Sequence, residues 1–121
     1  MAKYWKRIFI AGIAVELLYA VYVYYLATAD LVGYKPEGLA VAFVLFGIGG
    51  FWAARPAQDS RLAIGLAVGL VGMLFYYAIS MPTVLAGEME FPLMAWVNHG
   101  LKLAGGAVGA FLAGRIGRGA A

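Results

Sequence analysis

Residues 61–85 read RLAIGLAVGLVGMLFYYAISMPTVL, and after Arg61 no Asp, Glu, Lys or Arg occurs until Glu88. At a rise of about 1.5 Å per residue, a helical run of this length can cross a hydrocarbon core about 30 Å thick. Pro82 falls near its far end, where it is expected to kink or end the helix close to a membrane surface.

The neighbouring segments follow the same plan. Upstream, an apolar helix over 38–54 stops at Arg55-Pro56, because proline cannot continue a helix and biases its predecessor away from the α region. Before it, residues 8–29 form a helix whose one charge is Glu16, followed by a break from Asp30 to Gly38 that contains Gly33 and Pro36. Downstream, Gly87-Glu88-Met89-Glu90 makes a turn, and a last helix covers 91–114 before Arg115, Gly117 and Arg118. The predicted fold is an all-α integral membrane protein: one membrane domain over 1–121 with four transmembrane helices.

Composition agrees, since 64% of the 121 residues are hydrophobic and 12% are charged, against roughly a quarter charged in soluble domains. A soluble globule is thereby excluded as an expectation. The net charge of +3 does not point to nucleic acid, because the basic residues flank apolar runs instead of lining one polar face. With no Cys and one His, disulfides, thiolate nucleophiles and a His-based metal cage fall away; neither a metal nor a cofactor is expected. Lys3, Lys6 and Arg7 ahead of an apolar run ending Ala27-Thr28-Ala29 resemble a signal peptide, but the run exceeds the length of an h-region and carries Glu16, so a retained helix is expected.

Lys3, Lys6, Arg7, Arg55, Arg61, Arg115 and Arg118 flank the helices on one side and Lys35 alone lies on the other. By the positive-inside rule both termini should be cytoplasmic. Gly49-Gly50-Phe51-Trp52-Ala53-Ala54-Arg55 is echoed by Gly109-Ala110-Phe111-Leu112-Ala113-Gly114-Arg115, and Ile13-Ala14-Val15 by Leu66-Ala67-Val68. Two parallel helical hairpins in tandem would produce such echoes. The first of those segments, the short polar loop after it and Gly65 and Gly69 resemble a group of small uncharacterised four-helix bacterial membrane proteins over about a third of the chain. The resemblance implies a multi-pass protein of the bacterial inner membrane and carries no activity with it.

Lipid offers no hydrophobic drive between helices, so association depends on small residues that let backbones approach. Gly65 and Gly69, then Gly105, Gly109 and Ala113, stand at such spacing. They serve packing within one bundle or, given their surplus, a homo-oligomer or contacts with partner membrane subunits.

Ionisable groups inside a span are costly and normally face the bundle interior or a water-filled cavity. Glu16 lies about 4 Å from its helix midpoint and Lys102 roughly at the midpoint of the last helix, so the two can pair. His99 shares the helical face of Lys102, with Asn98 close by and Tyr19 one turn from Glu16. Two roles compete for this set. One is an ion pair that ties the first helix to the last; the other is a protonatable carboxylate, tuned by Lys102, that exchanges a proton for a cation or solute. At the level of the whole protein the choice is between proton-coupled transport or channel activity centred on Glu16 and a non-catalytic accessory or assembly subunit of a larger membrane complex. No Ser-His-Asp order, phosphate-cradling loop or paired-carboxylate site occurs, so no enzyme is expected.

Overall fold

The computed structural model describes residues 2–26, 36–85 and 93–120, with side chains over 3–22, 39–79 and 96–116. A short 3-10 turn, Ala2–Tyr4, leads into α1 (Trp5–Leu26), followed by α2 (Pro36–Ala54), α3 (Arg61–Leu85) and α4 (Leu93–Ala120). No strand occurs among the described residues. The expected turn at 87–90 and the first part, 30–35, of the expected break from Asp30 to Gly38 lie outside them, with Lys35, Asp30, Glu88 and Glu90, as do the expected start of the last helix at Phe91 and the end of the first at Ala29.

Helix boundaries depart from expectation where local chemistry allows it. The second helix starts at Pro36, a first-turn position at which the missing N–H costs nothing and the fixed φ suits the helix. The third keeps its expected bounds, Arg61–Leu85, with Pro82 inside it. The fourth runs past Gly114 to Ala120. Between α2 and α3 a six-residue reversal begins with the Ala57 N–H donating to the Ala54 carbonyl, and Ser60, at φ 58°, accepts from the Ile64 N–H to open α3.

Helix α4 packs closely on α2 and α3, and α1 lies against the same two from the opposite side. The α1 and α4 backbones are the pair that stays apart. Glycine explains the close approaches: a Cβ on Gly50 or Gly65 would overlap the Gly106 backbone, and one on Gly109 would overlap that of Gly47. Gly105 meets the Phe43 backbone in the same way, and on Gly69 an added Cβ would stand 2.8 Å from the Leu103 Cα. Ala110 and Ala113 complete that side of the core with no exposed surface, and Ile8, Phe46, Ile64 and Val68 fill it between the helices. Gly65, Gly69, Gly105, Gly109 and Ala113 thus pack within the protomer.

The radial distribution of polarity is the reverse of that in a water-soluble bundle. Glu16, Asn98, His99 and Lys102 are buried, whereas Ile10, Leu18, Val44, Ile48, Leu62, Leu74, Ile79, Trp96, Phe111 and Ile116 are exposed on the outer faces of all four helices. Among the described residues, Arg61–Ile79 is the one helical stretch both long and apolar enough to cross a membrane, and Leu39–Ala54 is apolar but shorter.

One end of the bundle gathers the cations. Arg7 of α1 lies with its guanidinium carbon 3.9 Å from the centroid of the Trp52 ring and donates a hydrogen bond to the Trp52 carbonyl. That carbonyl belongs to the last turn of α2, where the helix has no N–H of its own to offer, so Arg7 caps α2 with a charge of the sign its dipole favours. Arg61 donates to the Gln58 carbonyl at 3.4 Å in the same end region.

Candidate functional site

Lys102, 1% exposed, extends from α4 through the centre of the bundle to Glu16 on α1, itself 3% exposed. Its ammonium donates to Glu16 Oε1 at 3.1 Å and lies 3.0 Å from Oε2. A lysine is needed for this reach, because the two backbones do not pack and the flexible stem can cross apolar surroundings while its head remains polar. Three residues further along α1, the Tyr19 hydroxyl accepts a hydrogen bond from Asn98 Nδ2 at 2.7 Å. The two links pair 16 with 102 and 19 with 98, the order required of antiparallel helices.

Aromatic faces surround the ammonium. Nζ of Lys102 stands 4.9 Å from the ring centroid of Tyr76 on α3, 5.3 Å from that of Tyr19 on α1 and 5.7 Å from that of Phe46 on α2. Gly72 makes room for the Phe46 ring, which any Cβ at that position would overlap. Gly69 brings α3 against the Lys102 backbone, since an added Cβ would stand 2.9 Å from its carbonyl oxygen. The site therefore draws side chains from all four helices, and the glycines set how closely they converge.

His99 occupies the adjoining compartment. Its ring lies 5.1 Å from both Tyr76 and Tyr77, tilted 59° and 43° to them. Tyr76 is common to both compartments: one ring serves the Lys102 ammonium and the His99 imidazole. Of the residues expected from the sequence, Glu16, Lys102, Tyr19 and Asn98 come together in one network, and His99 joins it through the tyrosine pair of α3. Trp96 points outward.

Phe46, Tyr76 and Gly72 were not legible as site residues. The signal that could have found Tyr76 is depth: counted along antiparallel helices, the α3 tyrosines fall level with His99. Phe46 carried no comparable signal, because it sits in an unbroken apolar run.

No protein-family model matches the chain, and no curated protein or solved structure does either. What the site can do follows from its own chemistry. A single carboxylate at the centre of an apolar bundle can be neutralised by a proton, by Lys102 or by a cation from outside, and an exchange among these three states moves charge without exposing a bare anion.

Proposed function

We propose that this chain is a small multi-pass membrane transporter whose working group is Glu16, exchanging a proton for a cation or solute, with all four helices spanning a bacterial inner membrane and both termini in the cytoplasm. The observation that carries the reading is the buried Glu16–Lys102 pair at the centre of a bundle whose outer faces are aliphatic and aromatic. In water such a surface would far exceed the apolar patches that monomeric proteins tolerate, and in lipid it is the expected exterior. The gathering of Arg7, Arg55 and Arg61 at one end supports the orientation by the positive-inside rule.

An accessory or assembly subunit would dock its partners through small-residue faces. Gly65, Gly69, Gly105, Gly106 and Gly109 of α3 and α4 are already occupied inside the protomer, so this alternative draws no support from them. A homo-oligomer would have to form through the aliphatic outer faces.

The test is reconstitution of the purified protein in liposomes holding a pH-sensitive dye, challenged with a panel of alkali cations and amines. Cation-dependent proton movement that disappears in Glu16→Gln is the expected result. Wild-type vesicles that are indistinguishable from empty ones across the whole panel would overturn the reading.

A further inference from the structure

The Lys102 ammonium is surrounded as a bound cation would be. Both oxygens of Glu16 face it at 3.0 and 3.1 Å, and three rings from three different helices stand 4.9, 5.3 and 5.7 Å away. All three distances lie within the range of about 6 Å over which the negative face of a ring attracts a cation, an attraction that strengthens away from water. Tying α1 to α4 requires the ion pair alone. Convergence of Tyr19, Phe46 and Tyr76 on the same nitrogen adds what an ammonium receptor needs: one anion, and soft faces for the carbon substituents.

We infer that this cage is a binding site for a small organic ammonium ion, and that Lys102 is its tethered resident, displaced from Glu16 when a free ammonium binds. The inference rests on the transport reading above and gives it a substrate class. A hard metal cation fits poorly, because such ions take about six or more oxygen ligands, whereas the contacts of Nζ are two carboxylate oxygens and three ring faces. The Tyr19 hydroxyl already accepts from Asn98 at 2.7 Å. With a single carboxylate facing Nζ, Lys102 and a free cation compete for it, so Glu16 stays paired throughout, and the charge balances as displaced Lys102 gives up its proton to water when the ammonium enters. A tethered competitor acts at high effective concentration, which makes the wild-type cage weak for free amines and the cage without Lys102 strong.

The experiment is thermal unfolding of Lys102→Ala in mild detergent at constant ionic strength, titrated with n-propylammonium chloride, sodium chloride or 1-propanol. The expected result is a saturable rise of roughly 4–8 °C at tenfold excess over the dissociation constant for propylammonium alone, abolished when Glu16→Gln is added. Equal stabilisation by sodium or by the alcohol, persistence of the effect without Glu16, or no effect on folded Lys102→Ala would each overturn the inference. Should that variant not fold, the wild-type chain carries the test. Acetylation of Lys102, read by peptide mass, should rise several-fold in trimethylammonium chloride over sodium chloride, and equal labelling in the two salts would overturn the proposal. The two readings fail separately: ammonium binding without proton-linked flux removes transport and leaves the cage, whereas proton-linked flux of alkali cations without ammonium binding removes the cage and leaves transport.

Discussion

The Lys102 ammonium lies 3.0 Å from Glu16 Oε2 and joins α1 to α4, the two helices whose backbones do not pack on each other. Helix α4 meets α2 and α3 through glycine, by contact of backbone on backbone. Along this diagonal, attraction between opposite charges and the Asn98–Tyr19 hydrogen bond take that role. The position of α1 is thus linked to the state of Glu16, as the transport reading requires.

Removing one member of a buried pair leaves an uncompensated charge, at a cost of about 3–5 kcal/mol, while replacing both by apolar groups can be nearly neutral. Glu16→Gln and Lys102→Met should each lower the unfolding temperature, and the double variant should recover much of the loss. Strictly additive losses in thermal unfolding would rule out the coupling.

Glycine substitutions should divide by what the new methyl meets. Gly106→Ala and Gly109→Leu push into the backbones of Gly65 and Gly47, and each should lower thermal stability by more than about 2 kcal/mol through overpacking. Gly100 has open space around it, so Gly100→Ala should be neutral or gain about 0.5–1 kcal/mol from the higher helix propensity of alanine. Light scattering checks the corollary that particle mass is unchanged in the folded variants, since these contacts lie inside one protomer.

The Arg7 cap makes a prediction about side-chain shape as well as charge. Arg7→Ala should cost about 1–2 kcal/mol by removing both the stacking on Trp52 and the bond to its carbonyl. Arg7→Lys keeps the charge but not the planar stacked group and should recover about half. Chemical or thermal denaturation of the pair of variants distinguishes a stacked cap from a charge effect alone, for which lysine would restore full stability.

Topology can be read on the native background because the chain contains no Cys. Single cysteines at Gln58 or Ser60, and tags at either terminus, should all be protected from an impermeant maleimide or protease in intact cells and become accessible when the membrane is opened. Labelling of position 58 from outside would invert the proposed orientation.

Part of the site could be read from the chain because helices convert residue number into depth. Counting rises pairs Glu16 with Lys102, and one-turn spacing adds Asn98, His99 and Tyr19. The same arithmetic does not give rotation about the helix axis. Phe46 and Leu45 are neighbours in one apolar run, and only the packed bundle decides that Phe46 is fully buried beneath the ammonium while Leu45 is partly exposed. The use of the glycines escaped for the same reason. Spacing marks a face on which close approach is possible without saying which helix takes it.

Sequence alone determined the number of helices, the α2–α3 reversal at Arg55-Pro56 and the distribution of cations along the chain. These depend on hydrophobic run length, proline geometry and charge, all properties of residues close together in sequence. Tertiary structure alone decided that α1 and α4 occupy opposite corners, that Lys102 therefore passes between α2 and α3, and that rings from three helices close around its nitrogen. Those outcomes depend on crossing angles and helix rotations set by backbone contacts such as Gly50 with Gly106 and Gly109 with Gly47, which bring together residues far apart in the chain. No local pattern records them.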